Sequence, residues 1–389
     1  MAAVNAHLAA MYESYLFSEV DRRVQAYRAE NPQKRLLRLG IGDVSRPLAP
    51  AVVDALVGAA EEMGQAQSFR GYGPTRGYPF LLQAIIEREY EPVGVKLSQE
   101  DVFVSDGAKT DMAALQELFA PDAVAAVCDP VYPVYTDANR MAGRKIVLLP
   151  CSQEDGFCPP LPRERVDFLY LCSPNNPTGA ALTYAQAARF VDYALENGVA
   201  LLFDAAYSAY ISESGRPKSI FEIQGAKEVA VETGSFSKSA GFTGLRCAWT
   251  VVPRENRFGL NALWARRAAA KMNGVSYPVQ RAAQAALETP GWEQSRENVR
   301  YYMENAKILL GAAEKAGFCT WGGKDAPYLW VKCPDGMSGW EWFDVLLQNK
   351  GMICTPGEGF GSCGKGFVRF SAFASREETQ EAAARLSEG

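Results

Sequence analysis

Apolar and polar positions alternate in two distinct rhythms along the chain. Over the first thirty residues Leu8, Met11, Tyr12, Tyr15 and Leu16 recur near the 3.6-residue period, which predicts a helix ended by Asn31-Pro32. From about residue 100 short β-rich runs alternate with helical stretches. The runs fall at 102–105, 123–128, 145–149, 167–172, 200–204, 229–233 and 247–252. Helical stretches follow up to 119, up to 142 and over 183–197. Strands flanked by helices in this way predict an α/β fold with a mostly parallel sheet, seven-stranded in type, covered on both faces.

The last hundred residues have a different rhythm. A long charged helix over 293–315 leads to a strand at 328–333, a helix at 340–348, a strand at 367–373 and a closing helix from 376. This predicts a smaller α+β domain that the N-terminal segment joins. The expected division is a large domain over 44–285 and a small one from 1–43 with 286–389.

Composition narrows the chemistry. The 389 residues suffice for two domains at about 150 residues each. Forty basic against 45 acidic residues leave a net charge of −5, which argues against binding nucleic acid through its phosphates. No apolar run approaches the roughly 18 residues of a membrane span. The first residues lack the basic and apolar regions of a secretory signal, so a cytoplasmic location is expected. Nine scattered cysteines without a C-x-x-C pair fit reduced thiols better than a disulfide frame.

His7 is the one histidine. Hydrolytic triads, Cys-His nucleophiles and histidine-rich metal sites are therefore excluded, and no metal is expected. Lysine is left to carry protons, and lysine chemistry without a metal points to a carbonyl partner.

In parallel sheets ligands bind beyond the carboxyl ends of the strands. The residues there are unusually polar: Asp106-Gly107-Ala108-Lys109, Asp129-Pro130-Val131-Tyr132, Ser173 to Gly179, Asp204-Ala205-Ala206-Tyr207 and Ser235-Phe236-Ser237-Lys238. A pyridoxal phosphate site needs a lysine for the Schiff base, an acid opposite the pyridine nitrogen, donors to the phenolic oxygen, an aromatic ring over the pyridine and a phosphate cradle. Lys238 is the candidate lysine, with Ser235, Ser237 and Arg246 near it as phosphate ligands. Asp204 ends an apolar strand, where a carboxylate needs a partner; a helix N-cap is its rival reading. Asn176 and Tyr207 are placed to share the phenolic oxygen, and Tyr132 to stack on the ring. Gly107-Ala108-Lys109 opens a helix whose amides can meet the phosphate. The match of Gly359 to Gly364 with G-x-G-x-x-G is set aside, because it precedes a strand instead of opening a helix; a mobile glycine-rich loop bordering a site is expected.

In this order the motifs resemble the fold-type I pyridoxal phosphate aminotransferases. More narrowly, they resemble the LL-diaminopimelate aminotransferase family. The narrower likeness rests on Gly40-Ile-Gly-Asp43-Val-Ser-Arg46-Pro-Leu-Ala-Pro50, Phe69-Arg-Gly-Tyr72-Gly, Asp106-Gly-Ala-Lys109, Asp129-Pro-Val-Tyr-Pro-Val-Tyr135, Lys238-Ser-Ala-Gly-Phe-Thr-Gly-Leu-Arg246 and Asn273-Gly-Val-Ser276. It extends from about residue 15 to 373.

The resemblance implies pyridoxal 5'-phosphate as cofactor, Lys238 as Schiff-base lysine, Asp204 at the pyridine nitrogen, and Asn176 and Tyr207 at the phenolic oxygen. Tyr132 would stack on the ring. Ala108, Lys109, Ser235, Ser237 and Arg246 would surround the phosphate, with Tyr72 reaching in from a second subunit of a homodimer. Arg369 would grip the substrate α-carboxylate as a bidentate fork. Tyr15, Gly42, Lys109, Tyr132, Asn176 and Asn273 would line the substrate pocket, Asn273 from the neighbouring subunit. The implied substrates are LL-2,6-diaminopimelate and 2-oxoglutarate, in lysine biosynthesis. One departure stands out: Gly73-Pro74-Thr75-Arg76 occupies the place where the family reads Gly-x-Glu-Gln. It keeps open an aminotransferase for another dicarboxylic or aromatic amino acid.

Overall fold

The computed structural model describes residues 2–11, 16–334 and 336–387. Its centre is a seven-stranded sheet. In spatial order the strands are Val102–Ser105, Ala248–Val251, Ala230–Ser235, Ala200–Asp204, Phe168–Cys172, Ala125–Asp129 and Ile146–Pro150. The last five of these run parallel, while Ala248–Val251 is antiparallel to both its neighbours. Most strand residues are buried on both faces, as a sheet covered by helices on both sides requires.

This topology brings polar residues to one edge. Ser105, Asp129, Cys172, Asp204 and Ser235 are the last residues of their strands. Because Ala248–Val251 runs the other way, the residues that precede it reach the same edge, and Ala248 pairs with both Ser105 and Ser235. Arg246 is delivered there by that reversal.

A four-stranded antiparallel sheet lies in the C-terminal region, ordered Thr355–Pro356, Phe367–Ser371, Tyr328–Lys332 and Thr320–Gly322. The N-terminal segment joins this region: Leu37–Arg38 pairs in parallel with Met352–Ile353. Helix Gly291–Lys315 buries Val299, Tyr302, Ala306, Leu309 and Ala313, an i, i+3, i+4 stripe, and packs on helix Arg376–Ser387. No helix among the described residues is long and apolar enough to cross a membrane.

Two expected elements differ. The first N-terminal helix is short: Ala6–Ala9, capped by the Asn5 side chain, ends in a turn at 10–11, and a helix is described again over Leu16–Glu30, with Tyr12 and Tyr15 of the expected helix outside the described residues. The helix expected up to residue 119 is α-helical over Ala108–Ala114 and tightens to a 3₁₀ turn over Leu115–Leu118. Arg144 explains the tightening, since its guanidinium and Nε hydrogen-bond the carbonyls of Gln116 and Phe119 and the side chain of Gln116.

Candidate active site

A cleft of about 400 Å³ opens over the polar strand edge. Gly42, Ala108, Lys109, Tyr132, Asn176, Asp204, Tyr207, Ser235, Ser237, Lys238, Arg246 and Arg369 all line it. Elements from both sheets meet here, although Gly42 and Arg369 are 327 positions apart, the difference of their residue numbers.

Lys238 follows the strand Ala230–Ser235 in the short helix Phe236–Ser239. Ser235 caps that turn by accepting from the Ser237 amide at 3.1 Å. The Lys238 ammonium donates to the Gly42 carbonyl and lies 5.4 Å from the centre of the Phe373 ring. Burial lowers its pKa to about 8; Arg369 and Arg246 push the same way, and Asp43 opposes them.

Asp204 is 7% exposed. Its Oδ2 accepts from the Tyr135 hydroxyl at 2.7 Å and its Oδ1 from the Ala206 amide at 3.0 Å. Among the described residues it forms no ion pair, and burial raises its pKa despite those two bonds. The amide bond closes a local turn, and the next helical piece is only the 3₁₀ turn Ser208–Tyr210, so the helix N-cap reading fails.

Opposite stands the converse. Arg369, on strand Phe367–Ser371, is 1% exposed and forms no ion pair among the described residues. Its guanidinium donates to Asn176 Oδ1 and the Gly40 carbonyl, both at 2.6 Å, and packs over the Tyr328 and Phe360 rings. Its Nε has no partner among the described residues. With Asn176 Oδ1 committed to Arg369, the amide nitrogen of Asn176 is the end left to donate. A buried cation without an anion and a buried anion without a cation thus share one cleft.

At the far corner, Arg246 has a left-handed backbone with φ 63°. Its guanidinium donates to Ser237 Oγ at 3.4 Å and to the Thr243 carbonyl at 3.1 Å. A Cβ added at Gly107, φ +150°, would lie 2.1 Å from that guanidinium. Glycine there lets the strand-to-helix turn approach Arg246 and leaves hydroxyls, a guanidinium and backbone amides facing one space. Such a strained non-glycine residue at a cluster of donors is characteristic of ligand clamps.

Two expected residues lie elsewhere, and a third, Tyr15, falls outside the described residues. Tyr72 is 89% exposed, and Asn273 is exposed between helices Leu260–Lys271 and Tyr277–Leu287. The loops that carry these two are neighbours, since a Cβ at Gly274 would lie 3.8 Å from the Pro74 carbonyl. Arg76 does not line the cleft. Its guanidinium stacks 4.0 Å from the Phe103 ring centre and donates to the Glu100 carbonyl and Asn261.

The glycine-rich segment corrects its expectation. It forms the 3₁₀ turns Gly357–Phe360 and Ser362–Gly364, and the amides of Ser362 and Cys363, with Ser362 Oγ, donate to the Asp129 carboxylate. This is a loop tied down by a buried acid. Residues the sequence left without a role also face the cleft. Tyr135 orients Asp204, and Tyr328 shares a 2.8 Å hydroxyl contact with Tyr207. Tyr135 stood inside a quoted motif; Tyr328 had no signal beyond its place at a strand start.

The family model described as aminotransferase class I and II matches residues 34–386. The chain belongs to the class I and II aminotransferase family. Enzymes of this family depend in general on pyridoxal phosphate. The LL-diaminopimelate aminotransferase of Methanosphaera stadtmanae is 50% identical over 403 aligned positions, covering 99% of this chain and 98% of that protein. The structure of L,L-diaminopimelate aminotransferase from Chlamydomonas reinhardtii superposes with a TM-score of 0.94 at 40% identity, covering 100% of this chain and 98% of that one. A Thermus thermophilus aspartate aminotransferase double mutant shares the fold at 23% identity and a TM-score of 0.87, covering 100% and 99% of the two chains. The transaminase is of fold type I, and the narrower family likeness drawn from its motifs holds.

Proposed function

We propose that this aminotransferase exchanges the amino group between LL-2,6-diaminopimelate and 2-oxoglutarate, in the lysine-forming direction from glutamate and tetrahydrodipicolinate. The observation that carries the reading is the cleft that brings Lys238, its amine shifted down by burial, together with Asp204 and Arg369, two buried charges that form no ion pair among the described residues. The donor set fits pyridoxal phosphate. Asp204 lacks a cation that a pyridinium nitrogen would supply, and the corner of Ser235, Ser237, Arg246, Ala108 and Lys109 holds the donors a phosphate requires. When bound, the cofactor supplies a carbonyl that exchanges amines and a ring that accepts electrons released at the substrate Cα.

The chain's own residues do the rest. Asp204, held by Tyr135, would hold a proton on the cofactor's ring nitrogen. Tyr207 and the Asn176 amide nitrogen would donate to the cofactor's phenolic oxygen, and Tyr132 would pack against its ring. Arg369 binds the substrate α-carboxylate and exchanges its neutral partners for an anionic one. Lys238, with a pKa near 8, holds enough free amine at neutral pH to take the proton from Cα at Nζ and return it elsewhere. Burial and the Tyr328 hydroxyl keep Tyr207 protonated and able to donate.

We further infer a homodimer in which the exposed Tyr72 and Asn273 loops complete the partner's cleft, and a large unit over 44–285 beside a small one formed by 1–43 and 286–389. Arg76 is engaged on Phe103, so the departure after Tyr72 places no guanidinium in the chain's own cleft. A panel of amino donors with 2-oxoglutarate tests the substrate. Diaminopimelate should exceed aspartate, phenylalanine and tyrosine in kcat/KM by about 100-fold, the size of a charged recognition contact. A faster aromatic or dicarboxylic donor would move the assignment to the rival substrate class.

A further inference from the structure

Behind the strand edge that faces the cleft lies a second cavity of about 270 Å³. Its floor is Ala205, Ser208 and Ala209, the segment that carries Asp204 and Tyr207, together with Gly234, which precedes Ser235. Its wall holds charges of both signs in an unusual arrangement. Trp292 has the guanidinium of Arg88 at 5.1 Å from its ring centre and that of Arg296 at 5.1 Å as well. Arg88 donates to the Leu287 carbonyl and Arg296 to the Ala209 carbonyl, and neither forms an ion pair among the described residues. Lys218 stands exposed at the rim.

Glu89 lines the same cavity, forms no ion pair with any of these three cations among the described residues, and has its carboxyl raised by burial against their pull. It sits on a π-helical turn, Ile86–Tyr90, a local insertion common at functional sites. The other acid, Glu232, is already satisfied: it accepts from the Tyr90 and Ser219 hydroxyls and from the Ile220 amide.

A lone anion here would meet Glu89, and a lone cation would meet Arg88, Arg296 and Lys218. A molecule carrying both charges satisfies both sides at once. We propose that this cavity is a second binding site, distinct from the catalytic cleft, for a free α-amino acid. Its carboxylate lies on the Arg88 and Arg296 guanidiniums and its ammonium on Glu89. Bound there, the amino acid rests on the segment that positions Asp204 and Tyr207.

The test is thermal unfolding of the holoenzyme with millimolar glycine, L-alanine, L-leucine, L-glutamate or L-lysine, and with acetate and methylamine as single-charge probes. At least one amino acid is expected to raise the midpoint by about 3 °C, with acetate and methylamine giving less than a third of that. The rise should survive Arg369→Ala, which weakens the catalytic cleft, and vanish in both Glu89→Gln and Arg296→Met. Should Glu89→Gln not fold, Arg296→Met carries the comparison. The proposal is overturned if no amino acid raises the midpoint, if the rise disappears with Arg369→Ala, if it persists in the cavity variants that fold, or if acetate or methylamine alone reproduces it.

Discussion

Asp129 and Asp204 occupy equivalent places. Each ends an apolar strand of the parallel sheet, each is followed by a turn, and they are 2% and 7% exposed. Their surroundings give them opposite work. Asp129 collects three donors from Ser362 and Cys363 and anchors the glycine-rich turn of the C-terminal region to the large sheet. Among the described residues Asp204 has two donors and no cation, and burial raises its pKa. A buried carboxylate whose hydrogen bonds are complete is structural; one left electrostatically incomplete at the rim of a cleft is ready for a ligand.

The comparison breaks most sharply through the lysine that lines the same cleft as Asp204. Lys238→Ala should lower transamination by about four orders of magnitude while the chain stays folded, because it removes the acid-base group of the cleft. Steady-state rates beside a circular dichroism spectrum check this. Asp204→Asn should lower kcat about 1,000-fold with no loss of unfolding free energy, since a desolvated charge is removed. Asp129→Ala should do the reverse: a loss of about 3 kcal/mol in urea unfolding from stranded donors, with the activity of the folded fraction within a few-fold of wild type. Equal activity losses in the two variants would erase the distinction.

Arg369→Met should raise KM for the amino donor about 100-fold, the worth of a charged fork, without destabilising the cofactor-free chain. Lys238 predicts a pH effect with a definite sign. Its folded pKa, about 8, lies below the 10.5 of the unfolded chain, so between those values the unfolded state binds more protons and stability rises with pH. The gain for the cofactor-free protein is up to about 3 kcal/mol from pH 8 to 10.5, and Lys238→Met should remove that slope in urea titrations. The smallest effect belongs to Arg76→Gln. Since that guanidinium rests on Phe103 and Asn261, KM for diaminopimelate should change less than about 3-fold, no more than an exposed contact contributes.

The strands themselves and most of the cleft's residues were legible because each such residue follows an apolar run that ends in a turn. Lys238, Asp204 and Asn176 could be placed on one edge from that pattern alone, whereas Arg246 precedes its strand and reaches the edge only because that strand is reversed. What was illegible depends on distant pairs. Asp129 meets Ser362 across 233 positions, so its apolar strand and turn look like those of Asp204. The glycine spacing at 359–364 resembles a phosphate loop, yet its amides face a carboxylate of the same chain. Tyr328 reaches Tyr207 only because the antiparallel sheet of the C-terminal region folds over the strand edge. The turn at 10–11 that ends the first short helix had no proline or glycine to mark it.

The central claim is that Asp204, Lys238 and Arg369 form a transamination site for diaminopimelate. Its most direct test is the absorbance of the purified holoenzyme on adding LL-diaminopimelate with no oxo acid present. Conversion of a band at roughly 420 nm to one at roughly 330 nm is predicted, the change from carbonyl to amine form of the cofactor. A band that stays in place with diaminopimelate and shifts with glutamate would contradict the substrate, and one that shifts with neither would contradict the site.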